Sequence, residues 1–210
     1  MRIESSREFG RSLLRGIAKY SRINGPWLFY SEPGGQEKSL PDLRSWRANG
    51  AIIRDTSKID SRKMIGLGLP SIVAVHIKEQ VSKLPTIATD SVLISNMAAE
   101  HLLDRGFRRF AYYAVDDTWW SQGRAQAFGE KIAESGFETS FYEQPKSRTH
   151  RAWQKEQIRI ADWLESLPKP LGLMAACDDR AKHVIKACKL ANLHIPEDVA
   201  VIGVDNDELV

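Results

Sequence analysis

A handful of acids and one arginine stand where α/β proteins usually do their ligand chemistry. Asp178 follows the apolar run 171–177, and Asp205 follows a second apolar run that begins at Val199, so each acid lies just past the end of a predicted strand. The residues between them read as a helix. Two parallel strands joined by such a crossover set both carboxylates side by side at the carboxyl edge of a sheet, where open α/β folds bind ligands. Asp90 ends a short predicted strand in the same way, and Glu4 ends another. Trp120, Arg124 and Phe128 are spaced four apart and share one helical stripe. If that stripe faces the sheet, the guanidinium needs an acidic or hydroxyl-rich partner, because a buried unpaired cation is very costly. Carboxylates, a planar guanidinium and an indole face together suit a polyhydroxylated ligand. Vicinal hydroxyls donate to the carboxylate and accept from arginine, each such charged hydrogen bond contributing roughly 1.5–3 kcal/mol. Plainer roles fit the same residues: Asp90 and Asp178 each precede a helix and read equally well as N-caps, 205–207 reads as a polar turn, and Arg124 reads as a solvated residue beside two core aromatics.

The elements that must position these residues alternate. After the tail of a strand at 2–4, Ser5 or Ser6 is a good helix cap, and Phe9, Leu13, Leu14, Ile17 and Ala18 follow close to the 3.6-residue period up to Arg22. Strands are predicted at 27–30, 50–53, 71–75, 85–90, 109–115, 138–142, 171–177 and from Val199. Helices are predicted at 41–47, 57–65, 90–105, 118–135, 150–167 and after Asp178. Short connections between them favour doubly wound parallel sheets. The pattern divides into two lobes, 1–107 and 108–210.

Composition bounds the function classes. The chain has 210 residues with 42% hydrophobic and 27% charged, enough for two small cores or one large one. Its net charge is +3, and the basic excess is N-terminal: residues 1–63 hold thirteen Lys/Arg against seven Asp/Glu. That is too mild to mark a nucleic-acid surface. No apolar run is long enough for a membrane span or an export signal, so a cytoplasmic protein is expected. Cys177 and Cys188 sit at a strand end and within a helix, and a disulfide between them is not expected. The five histidines show no metal-ligand spacing, residues 34–39 lack the spacing of a phosphate loop, and no Gly-x-Ser-x-Gly turn is present. No metal, no cofactor and no catalytic group are expected.

Two blocks carry a resemblance. Residues 85–90 with 98–111, and residues 195–206, resemble the signature of the lactose-repressor and periplasmic sugar-binding type. Residues 5–11, 160–168, 178–184 and 205–209 are similar to the xylose operon regulator group. The resemblance implies an α/β fold of two periplasmic-binding-protein-like (type I) lobes that close on a monosaccharide effector, D-xylose or a related pentose. It implies ligand contacts at Arg124, Asp178 and Asp205, with Asp90, Trp120, Ser6 and Phe9 beside them. Cys177 stands where many relatives have Asn, and Ala127 where many have Gly. The group carries a C-terminal helix-turn-helix domain, so a chain ending at Val210 is expected to be a sensor piece truncated at both ends, reaching DNA only through a domain it lacks and pairing as a homodimer. A transport binding protein and a sugar-acting enzyme of the doubly wound class are the alternative readings.

Overall fold

A computed structural model describes residues 3, 5–29, 47–53, 68–74, 84–115, 118–143 and 152–208. The chain divides into two compact units, Met1–Thr89 and Asp90–Val210. In the first, helix α1 (Glu8–Asn24) precedes a parallel sheet of β1 (Ala51–Ile53), β2 (Ser71–Ala74) and β3 (Thr86–Ile87), in that spatial order. The cap expected from Ser5 or Ser6 does not form. Arg7 occupies the N-cap position without a side-chain cap bond. Glu8 supplies the compensating negative charge in the first turn, accepting from Ser12 Oγ at 2.6 Å, from Arg11 Nε at 3.1 Å and from Arg15. Gly25, at φ 124°, ends the helix.

The strand predicted at 27–30 is also absent over Trp27, Leu28 and Phe29. The Trp27 amide donates to Ser21 Oγ at 3.1 Å and its ring lies tilted 5.3 Å from that of Tyr20, so α1 takes an amide that a neighbouring strand would need. The elements expected at 2–4, 41–47 and 57–65, and the stretch 34–39, lie outside the described residues apart from Ile3 and Arg47, which are in neither helix nor strand.

The second unit holds α2 (Ser91–Asp104), β4 (Phe110–Tyr113), α3 (Trp119–Glu134), β5 (Thr139–Phe141), α4 (Ala152–Ser166), β6 (Leu171–Ala175), α5 (Asp178–Leu190) and β7 (Val199–Ile202). All strand pairs are parallel and the spatial order is β5-β4-β6-β7. The sequence reading places the helix before Gly106 in the first lobe. In the structure α2 packs on α3 and β6, with Ser95 Oγ donating to the Arg124 carbonyl at 3.0 Å, and so belongs with the second unit.

Alternate residues of the central strands go to opposite faces. Phe110, Tyr112, Met174 and Ala176 pack with Ala98, Ala99 and Leu102 of α2 and with Trp120, Phe128 and Ile132 of α3. Ala111, Tyr113, Leu173 and Ala175 pack with Ile160, Ala161 and Leu164 of α4 and with Ala181, Val184 and Ala187 of α5. Both faces are covered, which is why β6 is apolar throughout and every residue of it is buried. The fold is therefore the doubly wound parallel α/β type. From β4 the chain winds outward to β5, and from β6 it winds the other way to β7. The order reverses between β4 and β6, and ligands bind at the carboxyl ends of strands flanking such a switch.

Candidate functional site

The β4/β6 switch is where Arg124 lies. Burial on the sheet-facing stripe of α3 leaves it 2% exposed, between Trp120 at 8% and Phe128 at 0%, so the solvated reading of this arginine fails. Its Nη1 donates to the carbonyl of Ala176, the residue just past β6. Its guanidinium carbon lies 4.9 Å from the centroid of the Trp120 ring. Burial lowers its pKa, and the nearby Asp205 charge acts against that effect. The same burial pushes the Tyr112 phenol up to about 12, so Tyr112 stays neutral and donates to the Ser121 carbonyl at 2.9 Å. Ser121, fully buried, accepts the Val115 amide at 2.8 Å and thereby fixes the end of β4 to the start of α3.

Asp178 is the first residue of α5, and Cys177, buried, holds the N-cap position without a side-chain bond. The capping reading of Asp178 thus gives way to another role. Its Oδ2 accepts the Asp207 amide at 2.6 Å, and its own amide donates to the Val204 carbonyl at 3.0 Å. These bonds tie α5 to the turn after β7. Gly203 is required there, since a Cβ would stand 2.2 Å from Asp178 Oδ1. Burial raises the Asp178 pKa, and the Asp207 amide bond opposes the rise. In the turn itself Asp205 has φ 106° and Asn206 φ 53°, positive values that non-glycine residues rarely adopt and that recur at ligand sites.

The structure thus brings Arg124, Trp120, Asp178 and Asp205 to one edge of one sheet. Asp90 is the N-cap of α2, accepting the Leu93 amide at 2.9 Å, and the next residue, Ser91, reaches the Trp120 carbonyl at 3.5 Å. Ser6 is exposed, its carbonyl accepting from Arg11 Nη1 at 2.8 Å, and Phe9 is half-buried on α1; both belong to the first unit. Sequence reasoning missed a second polar group at the switch, on the other face of the sheet. The Arg180 guanidinium of α5 lies 5.4 Å from the centroid of the Tyr113 ring, with Nη1 3.4 Å from the Tyr113 hydroxyl and 3.2 Å from His183 Nδ1. The only signal for it was an arginine two residues after the first acid.

Among the described residues no group of His, Cys, Asp and Glu is placed to hold a metal, and no helix is long and apolar enough to cross a membrane. Cys177 and Cys188 are both buried, and no disulfide joins them.

Comparison with known proteins adds three findings. The chain is 28% identical over 213 residues to the xylose operon regulatory protein of Escherichia coli K12, an alignment covering 98% of this chain and 54% of that protein. It is 35% identical over 129 residues to the xylose operon regulatory protein of Haemophilus influenzae, covering 60% of this chain and 33% of that protein. A solved structure of a xylose-binding transcription activator superposes with a TM-score of 0.82 at 27% identity, covering 99% of this chain and 54% of that one. The chain therefore spans little more than half the length of the longest-matching of these relatives. The profile of the periplasmic binding protein-like domain matches residues 99–210, more than half of the chain and nearly all of the second unit, and the chain belongs to that family.

Proposed function

We propose that this chain binds a monosaccharide at the carboxyl edge of the β4/β6 switch and serves as the effector-sensing part of a transcription regulator, with D-xylose or a related pentose as ligand. The observation that carries the reading is Arg124: a guanidinium 2% exposed, stacked on Trp120 and within electrostatic reach of Asp205, at the topological switch of a doubly wound sheet. Arg124 donates to ring oxygens or hydroxyls, Asp205 and Asp178 accept from hydroxyls, and the indole of Trp120 stacks on the C–H face of the sugar. Asp90 is a further contact in this reading.

The similarity to xylose regulators supports the ligand class and the role in transcription. Operator binding then belongs to a DNA-binding domain beyond these residues, in a cytoplasmic homodimer. The sugar is bound and released without turnover, and it acts by binding one conformation better than another. A coupling of about 1–3 kcal/mol is enough for a useful switch.

Calorimetry with D-xylose, L-arabinose and D-ribose tests the proposal. A pentose should bind to the wild-type chain, and Arg124→Gln should weaken it by about a hundredfold, as expected for loss of a desolvated charged contact. Failure of every monosaccharide to bind at about 10 mM would remove the sugar reading, since affinity weaker than that cannot serve a cytoplasmic sensor.

A further inference from the structure

We propose that Arg180 and Gln157 form a second subsite at the same sheet edge, on the face opposite Arg124, and that it accepts the carboxylate or phosphate of a hydroxylated ligand. Arg180 sits in the first turn of α5, and every contact that orients it is neutral: the ring and hydroxyl of Tyr113 and the Nδ1 of His183. None of the ion pairs among the described residues includes it. Held by stacking, its planar fork is pre-organised for a bidentate contact with an oxyanion. His183 cooperates by staying uncharged. Its Nδ1 faces a donor and so accepts, and burial together with the Arg180 charge holds its pKa down at about 4. Of the other charged groups around that imidazole, Lys182 and Lys186 act in the same direction and Asp179 acts against them.

Gln157 supplies the independent observation. It is 6% exposed, and neither its Oε1 nor its Nε2 has a hydrogen-bond partner. A buried amide left unmet at both ends costs stability, and in native proteins such a group normally answers to a water or a ligand. Gln157 continues the buried α4 stripe of Ile160, Ala161 and Leu164, which packs in one cluster with Tyr113, Tyr142, Ala181 and Val184. It lies one turn nearer the start of α4, toward the carboxyl ends of the strands. The preceding residue, Glu156, accepts the Tyr142 hydroxyl at 2.8 Å, and the Tyr142 ring lies 5.3 Å from that of Tyr113. The amide offers a donor to an anionic oxygen and an acceptor to a ligand hydroxyl, which together with the guanidinium describes an acidic polyol: a sugar acid or a sugar phosphate.

Anion binding here stands on Arg180 and Gln157 alone, and only the hydroxylated character of the ligand rests on the sugar reading of the neighbouring site. Calorimetry on the whole chain with inorganic phosphate, D-gluconate and D-ribose 5-phosphate separates the two sources of negative charge. At least one should bind, and Arg180→Gln should weaken it about tenfold or more. Binding of gluconate alone assigns a carboxylate, and binding of the phosphates alone assigns a phosphate. In the wild-type chain the same anion should raise the His183 pKa from about 4, read by NMR of the imidazole, a measurement that needs no variant to fold. Binding that is indifferent to both Arg180→Gln and Gln157→Leu, or no binding by any of the three with an unmoved His183, overturns the subsite. Failure of D-xylose to bind is a separate result and bears on the neighbouring site only.

Discussion

Two residues at the β4/β6 switch carry opposite electrostatic signatures, and each adds its own pH dependence to the stability of the chain. The His183 pKa is held at about 4 against an ordinary 6.5, so the folded state binds fewer protons than the unfolded chain between those values. Its contribution to stability is complete above pH 6.5 and is lost as the pH falls toward 4. Denaturation followed across that window should show stability declining with acid, and His183→Gln should flatten the decline. Asp178 works in reverse: its folded pKa is raised above 3.8 by burial, so its contribution is complete below 3.8 and is lost as the pH rises through the folded value. Asp178→Asn should remove that loss while its amide oxygen still accepts the Asp207 amide. Asp205 acts on the buried Arg124. Neutralising it with Asp205→Asn strips the buried guanidinium of a compensating charge, and the expected cost is about 1–3 kcal/mol of stability, measured by urea denaturation, together with weaker pentose binding.

Two glycine and capping positions show how whole elements are held in place. Gly203 lets the turn after β7 lie against the first residue of α5, and Gly203→Ala would drive a methyl into the Asp178 carboxylate. Because that contact joins β7 to α5, the variant should lose about 1–3 kcal/mol and bind sugar less tightly, as seen by denaturation and calorimetry on the same preparation. Asp90 offers a cleaner separation of roles. As N-cap of α2 it should cost about 1 kcal/mol when replaced by Ala, whereas a cap replaced by Asn should cost almost nothing. If Asp90→Asn keeps stability but loses pentose affinity, Asp90 contacts the ligand as well as capping its helix. The second unit was largely legible in the sequence because β6 and β7 are continuous apolar runs and the residues between them read as a helix. The acids at the strand tips and the Trp120–Arg124–Phe128 stripe followed from spacing alone. What stayed hidden depended on partners outside the pattern of any single element. Ser21 takes the Trp27 amide and removes a strand that composition favours. Arg180, His183 and Gln157 look like solvated helix positions until Tyr113 and the α4 stripe are placed beside them. The helix before Gly106 reads as the end of one lobe until Ser95 is found on the Arg124 carbonyl.

At the scale of the molecule, the two units differ in how much of their sheet is covered, and this predicts where stability resides and how ligand changes it. In the second unit β4 and β6 are buried along their whole length, while in the first β3 is two residues long and exposed at both. Core strands buried on both faces open only with global unfolding, so amides of Phe110–Tyr113 and Leu171–Ala175 should be the slowest to exchange with solvent, and those of Thr86 and Ile87 among the fastest. The proposed sugar contacts of Arg124, Asp178 and Asp205 all hang on that slow-exchanging sheet. A ligand that binds only the folded state stabilises it by mass action, about 2.7 kcal/mol at a hundred times its dissociation constant. For a chain of this size each kcal/mol raises Tm by about 2–4 °C, so a saturating pentose should raise it by roughly 5–11 °C. The shift should be absent in Arg124→Gln and retained in a variant of a remote surface residue such as Lys189→Gln. A pentose that binds by calorimetry yet leaves both Tm and the exchange of β4 and β6 unchanged would mean that the sugar contacts lie away from this sheet.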